Sequence, residues 1–274
     1  MWIGVGKGKG GTGGTTSALE IAHAAVRRRR QEGDPRAIAV LDLDPQGDAT
    51  TVLEPERLSP GIKDVLARPV ADDQLGDGPL SLRAVLTPTA WDGIVAAPAG
   101  RLLANREIDM VPESLRALRG ARLSEELDDM VADVVVDLPR GLGNLAVAGL
   151  LAIEELFIVA RASLWSAQGA EEMRYSAERI RARRNPELEI AGIIVTEFDR
   201  TRDAKRILRT MRESRTLGNL VLSPPIPRNP LVRESIESFH TPLRDFGDAG
   251  LIEIADMYQG IYDEMRARQE RAGQ

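Results

Sequence analysis

The sequence has 274 residues, a formal net charge of −6 at pH 7 and no cysteine. The missing cysteines exclude disulfides, thiolate zinc sites and cysteine-held iron–sulfur clusters, and the net negative charge means that DNA binding would need a local basic patch. The sequence contains neither a run of 18 apolar residues nor an N-terminal secretory core with a cleavage site, so we expect a cytoplasmic protein with no membrane partner.

Apolar runs rich in Val, Ile and Leu alternate with helix-like stretches along the chain. The predicted strands are Trp2–Val5, Ala37–Leu43, Gly93–Ala97, Val131–Leu138, Glu155–Ala160, Ile190–Thr196 and Asn219–Leu222. Continuous apolar strands are typical of a parallel sheet that is covered on both faces. The pattern predicts one α/β domain over residues 1–274, with a mostly parallel twisted sheet flanked by helices on both faces.

Helix signals lie between these strands. Thr15–Arg30 begins with hydroxyl residues suited to capping, and its last turn, Arg27–Arg30, is followed by Gly33. We interpret that arginine run as a helix C-terminus, where cations are favourable, rather than as a nucleic-acid contact. Residues 251–268 carry an apolar face and predict a closing helix, that is, a C-terminal helix that completes the domain. Residues 53–86 predict surface loops around short helices.

The N-terminal stretch MWIGVGKGKGGTGGTT places six glycines in the nine positions from Gly6 to Gly14, between a strand and a helix. Such a loop can direct several backbone N–H groups at one anion, and the helix N-terminus adds partial positive charge. The hydroxyl of Thr15 is placed to bind Mg²⁺. Two of the four lysines in the chain, Lys7 and Lys9, lie in this loop. The pattern predicts a phosphate-binding loop, with a flexible glycine turn as the alternative.

Acidic residues follow two other predicted strands. LDLDPQGDAT contains Asp42 and Asp44, and VVVDLPRGLGN contains Asp137. Carboxylates at the carboxyl ends of parallel strands lie along the ligand crevice of an open α/β sheet. Asp44 could orient or activate a water for attack on a phosphoryl group, and Asp137 could hold Mg²⁺. The alternative for the first segment is a carboxylate that caps the next turn.

Taken together, these segments resemble the ParA/MinD/Soj family of deviant Walker A P-loop ATPases. KGGTGGTT, residues 9–16, is similar to the family pattern KGGxGK[ST]T, and the two aspartate segments resemble its second motif and its Walker B region. VTEFDR (195–200) and PIPRNPLVRES (225–235) resemble the segments around the adenine. The resemblance covers at least residues 3–246 and is closest to ParA-type partition proteins.

The resemblance implies a role for each matching residue. Lys9 matches the signature lysine that reaches the nucleotide of a dimer partner, and Lys9, Asp44 and Asp137 form the implied catalytic set. Thr15, Asp44 and Asp137 are the implied Mg²⁺ residues. The implied residues around ATP or ADP are Lys9, Gly10, Gly11, Thr12, Gly13, Gly14, Thr15, Thr16, Thr196, Pro227, Arg228 and Asn229.

The function that the resemblance implies is DNA partitioning of a plasmid, phage or chromosome. The family forms an ATP-dependent sandwich homodimer that binds DNA without sequence preference, and a ParB-like centromere-binding partner stimulates hydrolysis. In this reading the nucleoid-associated surface includes the cations of DRTRDAKRILRTMRESR, residues 199–215. The implied DNA-contacting residues are Arg202, Lys205, Arg206, Arg209, Arg212 and Arg233, with an ordinary solvated helix face as the alternative.

The chain departs from the family at Gly14, where the family has its second loop lysine. Losing one preorganised cation at a reacting phosphate typically costs about 10²–10³ in rate. Three interpretations stay open: an engineered change, a natural one in which Lys7 or the partner's Lys9 supplies the charge, or a non-hydrolysing relative. Because the other site residues are kept, we favour an ATPase with impaired or rescued chemistry. Arg140 also replaces a proline common in the family, as a solvent-facing cation or an extra phosphate contact.

Two other functions compete with a partition ATPase. One is a non-hydrolysing DNA-binding or scaffold protein on the same fold. The other is a MinD-like membrane-cycling ATPase, which we disfavour because the C-terminal helix is mixed in charge and lacks a basic tip with bulky apolar residues.

Overall fold

Strands and helices alternate along most of the chain, of which the computed structural model describes residues 1–69 and 78–272. The strands are β1 (Trp2–Lys7), β2 (Ala37–Asp42), β3 (Thr87–Pro88), β4 (Ile94–Ala97), β5 (Val131–Arg140), β6 (Glu155–Arg161) and β7 (Glu189–Thr196). The α-helices are α1 (Gly14–Gln31), α2 (Asp48–Leu53), α3 (Ile62–Val65), α4 (Leu82–Val85), α5 (Leu102–Ile108), α6 (Pro112–Leu123), α7 (Asn144–Ala152), α8 (Leu164–Arg183), α9 (Arg202–Glu213), α10 (Pro230–Arg233) and α11 (Ala249–Ala272).

The seven strands form one sheet in the order β3-β4-β2-β5-β1-β6-β7. Every neighbouring pair is parallel except β3 with β4, which is antiparallel. One apolar cluster packs α1 and α11 against one face, and a second packs residues of α6, α7 and α8 against the other. The predicted mostly parallel sheet with helices on both faces is therefore confirmed. Because the strands are parallel, the residues that follow β1, β2, β5, β6 and β7 meet along one edge.

The predicted strand at Asn219–Leu222 is wrong. Residues Gly218–Leu220 form a 3₁₀ helix instead, and only Val221 makes an isolated parallel bridge, to Ile193. The segment runs directly into Pro224 and Pro225, which have no N–H to donate to a sheet ladder, so pairing stops after one residue. Conversely, the two-residue strand β3 is too short to give a periodic sequence signal.

The predicted N-terminal helix is confirmed as α1, and it ends before Gly33, whose φ is 77°. Its start differs from expectation, because no hydroxyl caps it. The N-cap is Gly13, in a left-handed conformation and with no side-chain hydrogen bond. Residues 251–268, the predicted closing helix, lie within α11, which extends a few residues further at both ends.

Short helices do occur between residues 53 and 86, as α3 and α4, and the part of that prediction on residues 70–77 lies outside the described residues. Within the described ranges, no helix combines the length and the apolar character that crossing a membrane would need.

Candidate functional site

The glycine loop joins β1 to α1 at the edge where the parallel strands end. Gly11 and Gly13 have φ values of 70° and 76°, a left-handed conformation that favours glycine. The 18-residue helix that follows has neither a side-chain cap nor an acidic residue in its first turn. Its first N–H groups therefore have no intrahelical or side-chain acceptor, which is the arrangement of an anion-binding helix N-terminus.

Four side chains from four separate segments of the chain converge beneath this loop. The ammonium of Lys7, the last residue of β1, lies 3.1 Å from Thr15 Oγ1, 3.2 Å from Asp137 Oδ1 and 3.4 Å from Asp44 Oδ2. The Thr15 hydroxyl in turn donates to Asp137 Oδ2 at 2.8 Å. The structure thus brings Thr15, Asp44 and Asp137 into one crevice, as their positions at the carboxyl ends of β1, β2 and β5 predict. We call Lys7, Thr15, Asp44 and Asp137 the loop cluster.

The loop cluster is buried and has mixed charge. Lys7 is 5% exposed, and both carboxylates are buried. Burial by itself lowers the pKa of the Lys7 ammonium, but the neighbouring Asp137 and Asp44 carboxylates outweigh it and hold that pKa above its ordinary value. Lys7 is therefore a charged lysine throughout the physiological range, held between two carboxylates.

The two aspartates that follow β2 do different things. Asp42 accepts hydrogen bonds from the Thr50 N–H at 2.9 Å and the Thr50 hydroxyl at 2.7 Å, so it anchors the start of α2. Burial, reinforced by the nearby charge of Asp137, raises the pKa of Asp42 to about 7. Asp44 accepts from the Gln46 N–H at 3.1 Å and turns its other oxygen to Lys7. Both aspartates therefore accept hydrogen bonds from the segment that follows β2, and Asp44 also faces the loop.

A cleft of about 700 Å³ begins at Gly11 and Gly13 and extends along the same edge. The Thr196 hydroxyl, at the end of β7, donates to the Thr12 carbonyl at 2.6 Å and so holds the loop against this wall. Most residues expected around the nucleotide's base end are brought together here. The cleft lining includes Gly11, Gly13, Thr16, Thr196, Pro227, Arg228 and Asn229.

The cleft also includes residues that sequence reasoning missed. Arg161 at the end of β6 pairs with Glu197 at 2.5 Å, and Ile254 and Tyr258 reach the cleft from α11. Arg161 follows a buried strand at the same edge as the predicted aspartates, so the rule that located those aspartates could have located it as well. Nothing in the sequence indicates that the distant α11 closes this cleft.

Two cations lie on the outer side of the loop. Lys9 is exposed and does not join the loop cluster, and its ammonium lies 5.3 Å from the ring centroid of Trp165, which is itself exposed. Arg140 is exposed and packs over Gly10, where an added Cβ would meet its guanidinium nitrogen at 2.7 Å. Both side chains therefore sit where a molecule placed over the loop would meet them.

The predicted basic patch is divided by the structure. Helix α9 buries Ala204, Ile207, Leu208 and Met211 and exposes all five of its cations on the other side. Arg206 pairs with Asp203 at 2.6 Å, and Arg212 donates to the Ser223 hydroxyl at 3.0 Å. Within the described residues, Arg202, Lys205 and Arg209 take part in no ion pair. Arg233 lies apart from α9, on α10 at the cleft, and pairs with Glu237 at 2.7 Å.

The arginine run at the end of α1 is engaged within the protein. Arg28 pairs with Glu32, Arg29 with Asp133 and Arg30 with Asp92, each at 2.7 Å. This confirms the interpretation of the run as a structural helix end.

Comparison with known proteins agrees with the geometry. Residues 3–243 match the family model described as the CobQ/CobB/MinD/ParA nucleotide binding domain. The chain is 29% identical to the chromosome partitioning protein ParA of Caulobacter vibrioides over 273 residues, 96% of this chain and 94% of that protein. It is 28% identical to the chromosome-partitioning ATPase Soj of Treponema pallidum, over 83% of each chain.

Solved structures share the fold. Cobyrinic acid a,c-diamide synthase from Mycobacterium smegmatis, with bound ADP and magnesium, superposes with a TM-score of 0.75 and 26% identity, covering 100% of this chain and 96% of that one. A putative plasmid partition protein from Borrelia burgdorferi bound to AMPPNP superposes with a TM-score of 0.74 at 16% identity, covering 98% of each chain. With its motifs, sheet order and family match in agreement, the chain belongs to the CobQ/CobB/MinD/ParA nucleotide-binding domain family.

Proposed function

We propose that this protein is a ParA-type partition ATPase that binds ATP and Mg²⁺, dimerises with ATP, and binds DNA without sequence preference. We include in the proposal a ParB-like partner that stimulates hydrolysis and a location on the nucleoid. The observation that carries the proposal is the convergence of Thr15, Asp44 and Asp137 beside an uncapped helix N-terminus at the mouth of a cleft. The relatives named for chromosome partitioning support this choice within the family.

The residues of the site fit a nucleotide with its metal. Gly11 has open space at its Cβ position, and the glycine loop runs into the uncapped start of α1, so backbone N–H groups are available to bind a phosphate chain. One hydroxyl and two carboxylates supply the hard oxygen ligands that Mg²⁺ prefers. The described ranges contain no cluster of three or more His, Cys, Asp or Glu side chains suited to a metal, so the proposed site relies on two carboxylates and a hydroxyl.

Each residue then has a definite task. Thr15 and Asp137 would hold the metal, which when bound neutralises charge on the phosphates. Asp44 would orient the attacking water and accept its proton, because the oxygen that faces Lys7 points into the crevice. Thr196 and the 227–229 loop would form the wall against the base. Lys9 is exposed at the loop surface, so it is available to reach a second protomer.

The test of the nucleotide part uses the wild-type chain. Calorimetry with ATP and ADP in Mg²⁺ measures binding, and light scattering measures mass with each nucleotide. We expect binding of both nucleotides and a doubling of mass with ATP only. One mass under all conditions, together with no heat from either nucleotide, would contradict the proposal and favour a nucleotide-insensitive scaffold.

The test of the DNA part uses the exposed face of α9. Because Arg206 already pairs with Asp203, the informative change is Lys205→Glu with Arg209→Glu, which reverses two cations that have no ion pair within the described residues. With ATP and Mg²⁺ present, we expect the double variant to abolish non-specific binding at moderate salt and to lower the slope of log K against log salt by about 2.

A matched control is Arg179→Glu with Arg183→Glu on α8. These residues have the same spacing and the same exposure, but they lie in the last turns of a helix that ends at the edge opposite the cleft. We expect DNA binding to stay close to wild type in this control. Equal losses in both double variants would indicate a general charge effect rather than a DNA-binding face.

A further inference from the structure

The loop cluster contains a lysine that the family pattern does not explain. Lys7 is the last residue of β1, and β1 alternates its side chains so that Ile3, Val5 and Lys7 face α1. The pairing of β1 with β5 shifts register between Val5 and Lys7, immediately before the loop. Lys7 therefore leaves the sheet directly beneath the first turn of α1.

The stem of Lys7 occupies the space beside Gly14. A Cβ built on Gly14 would lie 2.6 Å from Lys7 Cδ and 3.4 Å from Lys7 Cβ and Cγ. Real Cβ atoms do not come this close to another carbon, and Cδ is the middle of the lysine side chain rather than its free end. A side chain at position 14 and the observed path of Lys7 are therefore mutually exclusive.

Backbone conformation does not require glycine at position 14. Gly14 is the first residue of α1 and does not have the positive φ of Gly11 or Gly13. A glycine in a helix is unfavourable relative to alanine. The contact with Lys7 gives a physical reason for keeping it.

We propose that Lys7 is the phosphate-contacting lysine of this loop, moved from the helix to the preceding strand, and that Gly14 is the space that lets it reach the site. The ammonium lies among Thr15, Asp44 and Asp137, beside the proposed position of the metal and the terminal phosphate. A loop lysine must reach this place to contact that phosphate. Its terminal atoms can turn from the two carboxylates to an arriving phosphate while the stem stays beside Gly14. The inference rests on the proposed function, because it assigns a residue to the binding of the same nucleotide.

The test is a cycle of four proteins: wild type, Lys7→Ala, Gly14→Lys and the double variant Lys7→Ala with Gly14→Lys. Affinity for ATP and ADP is measured with fluorescent analogues and competition. We expect Lys7→Ala to weaken both affinities by roughly 10- to 100-fold, the loss typical of one charge-assisted hydrogen bond. The double variant, which has one lysine in the conventional place, should recover to within a few-fold of wild type.

Gly14→Lys alone should not improve binding, since its side chain has no room while Lys7 is present. Lys63→Ala, at a partly exposed lysine that pairs with Asp64 away from the loop, is the matched lysine-to-alanine control and should bind as wild type. Wild-type affinity in Lys7→Ala would overturn the inference, as would a tighter-binding Gly14→Lys single variant. If the wild-type chain itself binds no nucleotide, the proposed function fails first, so the two failures are distinguishable.

A second readout needs no nucleotide. Gly14→Ala adds only the Cβ that would meet Lys7 at 2.6 Å. We expect it to lower the melting temperature of the otherwise wild-type protein and to raise it in the Lys7→Ala background, where alanine is the better helix former. If Lys7→Ala does not fold, Lys7→Met keeps the stem and replaces it as the single variant in the affinity measurement. The same sign of the Gly14→Ala effect in both backgrounds would contradict the steric pairing.

Discussion

Strand β5 carries two buried aspartates four residues apart, and each faces a cation on the side of the sheet that α1 covers. At the start of the strand, Asp133 receives two hydrogen bonds from Arg29, at 2.7 and 2.8 Å, and a third from the Tyr262 hydroxyl at 2.8 Å. Near its end, Asp137 faces Lys7 and Thr15 at the edge of the cleft. Asp133 is thus surrounded by partners inside the protein, whereas Asp137 lies where a ligand could reach it. We call Asp133 with Arg29 the closed pair, and Asp137 with Lys7 the open pair.

The partners determine what each aspartate does. Burial would raise the pKa of Asp133, but the bidentate Arg29 and the Tyr262 hydroxyl hold it below its ordinary value, so the group is a permanent carboxylate inside the protein. Lys7 divides its ammonium between Asp137 and Asp44 at longer distances, which leaves oxygen atoms available to a ligand. The closed pair is suited to stability, and the open pair is suited to exchange of partners.

The largest expected effect breaks the closed pair. Arg29→Met removes the guanidinium that donates two hydrogen bonds to the fully buried Asp133 carboxylate, and breaking a buried pair in this way costs about 3–5 kcal/mol in the free energy of unfolding. Urea denaturation measures it. Arg28→Met is the control from the same run, because Arg28 is half-exposed and, among the described residues, pairs only with Glu32, and it should cost under about 1 kcal/mol. Similar losses in the two variants would refute the distinction between a buried and a surface pair.

The next effect breaks the open pair. Asp137→Asn removes the carboxylate that accepts from Thr15 and faces Lys7, so we expect turnover of ATP to fall on the order of 10²–10³, as when one preorganised charged group is lost. The isosteric change four residues earlier, Asp133→Asn, should lower stability and leave turnover per folded molecule unchanged. Steady-state phosphate release, corrected for the folded fraction, compares the two. Equal turnover in both would mean that Asp137 is only structural.

Sequence reasoning located the open end of β5 well and the closed end poorly. Asp137 was accessible because a buried strand followed by Pro139 and glycines predicts a carboxylate at a ligand edge, a rule that needs only neighbouring residues. Asp133 lies in the same strand, but its partners come from α1 and from α11, 129 positions away, so no local pattern identifies them. Distant pairing likewise explains why Tyr258 in the cleft wall was missed.

The replacement of the family's lysine at position 14 by Lys7 could be predicted only in part. The sequence shows the missing loop lysine and two nearby lysines that could replace it, but the choice between Lys7 and Lys9 depends on geometry. Alternation along β1 sends Lys7 inward beneath α1, whereas Lys9 lies on the exposed loop against Trp165. The alternation continues to Lys7 although the pairing of β1 with β5 shifts register just before it, and the sequence alone does not show whether β1 extends that far.

A further buried carboxylate, that of Glu20, sharpens the comparison, because it takes part in no ion pair within the part of the chain that the structure describes. Glu20 on α1 accepts the Leu243 N–H at 2.9 Å, with Asp245, Arg27 and Arg244 nearby, and burial raises its pKa to about 7. Between pH 4.5 and 7 the unfolded chain loses this proton while the folded protein keeps it, so stability falls as pH rises through that window. The full penalty, about 3 kcal/mol at 1.36 kcal/mol per pKa unit, applies above pH 7.

Glu20→Gln keeps an oxygen for the Leu243 N–H and removes the titration. We expect wild type and variant to have similar stability near pH 4.5, and the variant to become progressively more stable until the difference levels off above pH 7. The free energy of unfolding in urea, measured for both proteins at several pH values, gives the difference curve directly and cancels contributions from other groups. A difference that stays flat from pH 4.5 to 8 would show that Glu20 titrates alike in the folded and unfolded chains. The lack of a paired cation would then not explain a difference in titration between Glu20 and Asp133.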